Sequence, residues 1–214
     1  MANRENFIKA IQEIRKSESE KHKQVKFDQT VDLIINLRDF DIKKNSINLF
    51  VTLPHKLKDK KIAGFLEKKS EIIDSITKVE FDEFKDKKKL KRLVKEYDFF
   101  IANAKLMPAV ATTFGRVLGP ASKMPSPQLG VLMGSEDEHS IKNLLQKINS
   151  VVKVKTKEPS IKVAIGKQSD KDEALAENAL AVFNDVFKNL PKQRENLRNV
   201  LIKFTMGKPA KAAV

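Results

Sequence analysis

The chain has 214 residues and sets 42 Lys or Arg against 28 Asp or Glu, a formal charge of +14, while 41% of its positions remain apolar. It is too hydrophobic for a disordered polycation and long enough for one large or two smaller cored domains, and the surplus charge points to a polyanionic partner, most commonly nucleic acid. Having no cysteine excludes disulfide frameworks, thiolate zinc sites and cysteine nucleophiles, and an intracellular address is expected.

The first residues interleave charges with Phe7, Ile8, Ile11 and Ile14. This pattern lacks the unbroken apolar stretch of a signal peptide and predicts an N-terminal helix. No run approaches the about 18 apolar residues of a membrane span, so no membrane partner is expected. Apolar residues then fall on odd positions at Phe27, Val31, Leu33, Ile35 and Leu37, and again at Ile47, Leu49, Val51 and Leu53. These alternations predict half-buried strands with one wet face.

Between about 60 and 152 the pattern changes. Lys61 to Leu66, Ile76 to Phe81 and Asp98 to Ala102 are short, mostly continuous apolar runs, each followed by a helical stretch. That rhythm predicts a parallel sheet covered on both faces. The densest basic run, Lys85 to Lys95, carries Leu90, Leu93, Val94 and Tyr97 at helical spacing, which favours a solvated helix over a nucleic-acid patch. Eight of the chain's glycines and prolines cluster from Pro108 to Gly134, and within that cluster the run Phe114 to Gly130 cannot be a regular element. It reads either as a rigid shaped loop carrying Arg116 and Lys123 or as a long helix-to-strand connection, and it lacks the Gly-Lys-Ser/Thr of a nucleotide loop. Ser135 and Glu138 form a capping-box pattern for the next helix.

Toward the C-terminus Ile161, Val163 and Ile165 alternate, as do Val200, Ile202 and Phe204. Between them Leu175, Ala179, Leu180, Phe183, Val186, Phe187 and Leu190 predict a helix of about five turns, with Ser169 and Asp170 as its cap and Asp172 and Glu173 as first-turn acids. Strands from the two chain ends then form one antiparallel sheet backed by the N-terminal helix and the helix around Phe183. The expected fold class is α/β: a discontinuous α+β domain, 1–59 with 153–214, interrupted by an inserted α/β three-layer Rossmann-like domain, 60–152. The two crossings, with few apolar residues around them, are expected to act as a hinge.

Chemistry is scarce. His22, His55 and His139 are far apart, so no metal site is expected, and His55 after Pro54 reads as a surface turn. No serine elbow or isolated carboxylate pair is present, and no cofactor is implied. Residues 1–59 hold 12 basic and 9 acidic groups, residues 60–152 hold 17 and 12, and residues 153–214 hold 13 and 7, so the last third is the most one-sidedly basic. Lysine outnumbers arginine 35 to 7, which favours phosphate contacts over base readout in duplex DNA.

Four stretches are more specific. Gly115-Arg-Val-Leu-Gly-Pro-Ala-Ser-Lys-Met-Pro-Ser-Pro, Thr205-Met-Gly-Lys-Pro, Lys26-Phe-Asp-Gln-Thr-Val-Asp and Ile165-Gly-Lys resemble, in order and spacing, the signatures of the ribosomal protein L-one family of the large subunit's mobile lateral stalk. The missing bacterial-type N-terminal extension and the Met-Gly-Lys-Pro ending resemble the archaeal and eukaryotic branch, with archaeal favoured. The resemblance implies a cytoplasmic ribosomal protein, monomeric when free, whose partners are large-subunit rRNA, exit-site tRNA and its own mRNA, which it represses. It also implies an RNA-contacting set of Lys26, Phe27, Thr30, Asp32, Gly166, Lys167, Asn199, Thr205, Met206 and Gly207, with Arg116 and Lys123 as possible contacts in the insert. Asn199 stands where some members carry serine, and Ala121 and Ser122 interrupt the family's more glycine-rich loop. The competing expectation is an RNA-processing enzyme using the insert's Gly/Pro loop.

Overall fold

The computed structural model describes residues 3–20, 25–42, 44–132, 134 and 136–213. His22 and Ser135, named above, lie outside that set. In chain order the elements are α1 (Arg4–Ser19), β1 (Thr30–Leu37), β2 (Asn48–Thr52), β3 (Ile62–Phe65), β4 (Asp74–Ile76), a 3-10 helix (Lys78–Lys85), α2 (Lys87–Glu96), β5 (Phe99–Asn103), α3 (Met107–Leu118), β6 (Val131–Leu132), α4 (Glu138–Ser150), β7 (Val151–Lys155), β8 (Ser160–Lys167), α5 (Asp172–Lys188), β9 (Leu197–Phe204) and β10 (Ala210–Ala212). This α/β chain divides into two compact units, Met1–Lys58 with Ser150–Val214, and Asp59–Asn149.

In the first unit β1 is central to an antiparallel sheet of order β10-β9-β1-β8. Its alternation is complete: Val31, Leu33, Ile35 and Leu37 are buried, while the residues between them are half-exposed. The buried face meets α1 through Phe7, Ile11 and Ile14 and α5 through Leu175, Ala179, Val182 and Phe183, with Phe7 and Phe183 in ring contact at 6.2 Å. Arg15 on α1 donates from Nε to Asp172 at 2.6 Å and from its two terminal nitrogens to the Gln168 and Asp170 carbonyls, tying α1 to the β8–α5 turn.

Two expectations are corrected here. The strand around Val51 does not join the main sheet; β2 pairs with β7 in a separate two-stranded ribbon. The chain leaves the first unit after β2 and re-enters it at β7, and the Leu53 N–H donates to the Ser150 carbonyl at 2.7 Å where these two crossings meet. The two units divide at 58/59 and at 149/150. Ser169 and Asp170 do not cap α5, whose N-cap is Lys171. Asp170 instead accepts from the Lys167 N–H at 2.7 Å, closing the turn ahead of the helix.

The second unit holds a parallel sheet of order β4-β3-β5-β6. All four residues of β3 are buried, as expected of a strand covered on both sides. Phe65 stacks on Phe100 at 5.7 Å and meets Phe81 and Phe114 at 5.8 and 4.7 Å, so the 3-10 helix, α2 and α3 share one ring-rich core. Ile62, whose side chain is on the other face of β3, lines a cleft with Leu145 of α4.

The βα rhythm is less regular than its apolar runs suggest. No helix separates β3 from β4, and Ile76 to Phe81 is a strand end followed by 3-10 helix, with Glu80 capping back onto the Thr77 N–H at 2.9 Å. The Gly/Pro-rich stretch is also partly regular: α3 takes in Gly115 and Arg116, and Pro108 sits in its first turn, where a missing N–H costs nothing. Packing of Val110, Phe114 and Leu118 into the core overrides the weak helix propensity of Gly115. The loop proper follows Leu118 and ends at Gly130, whose φ of +111° and position against the Phe100 carbonyl admit no side chain without strain.

Candidate nucleic-acid interface

Because α1 and α5 cover only one face of the antiparallel sheet, the other face stays open. Cross-strand partners share a face, so Thr30, Asp32, Ile34 and Asn36 of β1 stand with Asn199, Leu201 and Lys203 of β9, Lys162 of β8 and Lys211 of β10. A polar ladder crosses three strands near one end: the Ser160 hydroxyl donates to Asn36 Oδ1 at 2.8 Å, and Asn36 Nδ2 donates to Asn199 Oδ1 at 2.6 Å. Asp32 lies opposite Lys203. Burial pushes its carboxyl above the ordinary 3.8, and Lys203 pulls it partly back.

At the other end, antiparallel pairing brings together the segment before β1, the turn after β8 and the turn after β9. Gln29, fully buried, fastens all three. Its carbonyl accepts from the Gln168 N–H at 2.7 Å, its Oε1 accepts from the Met206 N–H at 3.0 Å, and its Nε2 donates to Glu18 of α1 at 2.9 Å. Asp28 adds a second tie, accepting from both the N–H and the hydroxyl of Ser169. Thr205, Met206 and Gly207 form a turn just beyond β9, closed by a Gly207 N–H to Phe204 carbonyl bond of 2.9 Å. Thr205 donates from its backbone N–H and its hydroxyl to the Thr30 carbonyl at 3.1 and 3.2 Å. The hydroxyl's lone pairs remain available as acceptors.

This fastened end presents two large apolar side chains to solvent, Phe27 at 55% and Met206 at 65% exposure. Phe27 belongs to a bend outside β1, so the alternation begins at Val31 and not, as expected from sequence, at Phe27. Lys26 and Lys167 are exposed beside it, the latter 3.7 Å from Asp28. Short hydroxyls, flat apolar surface and cations are the groups that meet riboses, bases and phosphates respectively.

The remaining named residues divide. Gly166 is buried, and a Cβ there would run into Leu175 and Asp170, so packing under α5 already demands glycine. At Gly207 an added Cβ would lie 3.1 Å from the Phe204 Cβ, a constraint of the turn itself. Asn199 sits in the polar ladder at the far end of the sheet. Arg116 and Lys123 belong to the second unit. Arg116 is exposed on α3, but the Lys123 ammonium donates to the Val94 and Tyr97 carbonyls at 2.7 Å each, capping the C-terminus of α2. His55 forms a 2.7 Å pair with Glu177, whose carboxyl this bond holds below its ordinary value.

Asn36, Ile34, Leu201, Lys162 and Lys203 are not among the residues expected from sequence, and Asp28 and Gln29 stand there only inside the Lys26 to Asp32 stretch, with no role assigned. The strand alternation that marks the inward residues also marks the outward ones, so the β1 and β9 members were legible. The bracing role of Gln29 had no such signal, since a buried glutamine at a strand entrance shows it only through partners at Glu18, Gln168 and Met206.

The sequence matches the Ribosomal protein L1p/L10e family over residues 19–208. Relatives include the large ribosomal subunit protein uL1 of Pyrobaculum neutrophilum, 38% identical over 200 residues that cover 87% of this chain and 86% of that protein. The protein of the same name from Methanobrevibacter smithii is 36% identical over 209 residues, covering 92% and 95% of the two chains, and that of Methanothermococcus thermolithotrophicus is 35% identical over 219, covering 97% of each.

Proposed function

The chain belongs to the Ribosomal protein L1p/L10e family, and from that premise we propose that it is a structural, non-catalytic constituent of the large ribosomal subunit that binds rRNA on the open face of its antiparallel sheet. The observation that carries this reading is the end of that face fastened by Gln29, where Phe27 and Met206 stand exposed beside Thr30, Thr205, Lys26 and Lys167. Phe27 and Met206 supply apolar area on which bases or sugars can pack. Thr30 and Thr205 supply directional contacts for 2′-hydroxyls, which separate RNA from DNA, and the lysines supply salt-dependent affinity.

The finer reading extends to exit-site tRNA and to repression of the chain's own mRNA, with a free monomer. It is supported by the sequence resemblance, and an mRNA segment that imitates the rRNA fold would occupy the same face. The test is binding of the full-length protein to a stalk rRNA fragment, to the same sequence as DNA and to an unrelated RNA duplex. The rRNA fragment is expected to bind tightest and to keep its lead as salt rises. Equal affinities for all three would sink the specific-binder reading.

A further inference from the structure

The open face ends, away from the Thr205 turn, in a second feature that shares only Asn199 with the RNA-contacting set. A pocket of about 290 Å³ is lined by Arg38, Arg194, Arg198, Asn199 and Lys211. Three of the chain's seven arginines converge on it, in a protein where lysine outnumbers arginine 35 to 7 overall. None of these four cations forms an ion pair with a carboxylate among the described residues. Arg194, Arg198 and Lys211 are exposed, and Arg38 is held by donating from Nε to the Glu195 carbonyl at 2.7 Å.

The backbone that carries the arginines is fixed. Asn196, buried, donates to the carbonyls of Arg38 and Asp39 at 3.2 and 3.1 Å and accepts from the Lys192 N–H at 2.8 Å. Asp39 and Gln193, next in sequence to Arg38 and Arg194, hold φ values of +49° and +42°. They are two of the three non-glycine residues with positive φ among those described. Left-handed backbone at an ordinary residue costs free energy and persists where the surroundings enforce it. Here it turns two adjacent loops so that their arginines border one cavity.

We propose that this pocket is a second anchoring site for RNA, a clamp on the phosphodiester backbone. Guanidinium forks match phosphate oxygens in pairs, which lysine does not do. Asn199 and Lys211 belong to both the pocket and the open face, so one RNA chain would pass from the Thr205 turn to the clamp. Thr30 and Asn36 are six positions apart on β1, roughly 20 Å of strand, a span of several nucleotides. The inference rests on the open face being an RNA platform, and it adds the place where that RNA's phosphates are held.

The test uses the full-length protein, the stalk rRNA fragment and an unrelated RNA duplex, each titrated across a salt series. Replacing Arg194→Gln with Arg198→Gln is expected to reduce the slope of log affinity against log salt by about 1.5 on both RNAs, near 0.7–0.9 for each phosphate no longer neutralised. Low-salt affinity should fall about tenfold. Arg194→Lys with Arg198→Lys should restore most of the slope but only part of the affinity, because a point charge replaces a fork. A matched pair on the helix layer, Lys9→Gln with Lys188→Gln, should leave the slope nearly intact. An unchanged slope in the arginine variant, or an equal loss in the helix-layer control, overturns the clamp. If wild type shows no preference for the stalk fragment while the arginine variant still flattens both salt slopes, the specific-binder reading fails and the clamp stands.

Discussion

The two units solve the same problem, burying a four-stranded sheet, in opposite ways. In the first, α1 and α5 lie on one face and leave β1, β8, β9 and β10 bare on the other. In the second, parallel strands joined through helices are enclosed, and all of β3 and all but the first residue of β5 are buried. In the first unit the β8–α5–β9 crossover passes over the same face that α1 covers, which leaves the opposite face free, whereas the crossovers of a parallel sheet covered on both sides leave neither face bare. A sheet of the first kind keeps a flat, hydrogen-bond-rich surface for a partner, and one of the second kind can offer only helix surfaces and loops. The same contrast appears in the lysines: Lys203 and Lys211 stand on the open face, while Lys123 is consumed in holding the end of α2.

The sharpest way to break this contrast is to damage the enclosed core. Phe65→Ala removes a ring that packs against Phe81, Phe100 and Phe114 and should destabilise residues 59–149 by about 3–5 kcal/mol. Hydrogen exchange should report the loss there alone, with rRNA affinity unchanged while the protein remains folded. Affinity falling together with insert protection would mean that the RNA surface is not confined to the open sheet. Next in size is Gln29→Met, which keeps volume but removes the bonds from the Gln29 side chain to the Met206 N–H and to Glu18. Loss of these two bonds should cost about 1–3 kcal/mol of stability and weaken rRNA binding by loosening the Thr205 turn. Loss of stability with unaltered affinity would show that the fastened end is not the reading surface.

Thr205→Val keeps the shape of the turn while removing the hydroxyl that now donates to the Thr30 carbonyl. An RNA hydroxyl left unpaired in a closed interface costs about 1–2 kcal/mol, roughly one order of magnitude in affinity. Affinity for the unrelated duplex should be unaffected, and an unchanged ratio between the two RNAs counts against Thr205 as a specificity residue. The smallest effect is expected at Asp32. Its folded carboxyl titrates above the ordinary 3.8, so the fold favours the protonated form, and stability is lost as pH rises through that window. Asp32→Asn should therefore melt slightly higher than wild type at neutral pH, with the difference closing below the ordinary carboxylate value. A gap that persists at low pH would assign the effect to something other than the charge.

Sequence alone determined each segment's facing. The alternation of Val31 to Leu37, of Ile161 to Ile165 and of Val200 to Phe204, and the helical spacing of Leu175 to Leu190, all appear in the structure with the expected sides buried. Periodicity is a property of the local backbone, so it survives without knowledge of neighbours. Lys26 with Phe27 and Thr205 with Met206 are two short contiguous runs in the sequence, and all four residues are exposed. What tertiary structure decided was partnership. The strand at Val51 left the main sheet for β7, a strand separated from it by the whole insert, and nothing in the spacing of its apolar residues distinguishes those two pairings. Gly115 became helix because Val110, Phe114 and Leu118 had a core to fill. Lys123 became a helix cap and Gln29 a three-way brace because of carbonyls, an amide and a carboxylate far away in sequence. A polar side chain's role is set by whatever stands within about 3 Å of its atoms, and that distance is fixed only when the chain has closed on itself.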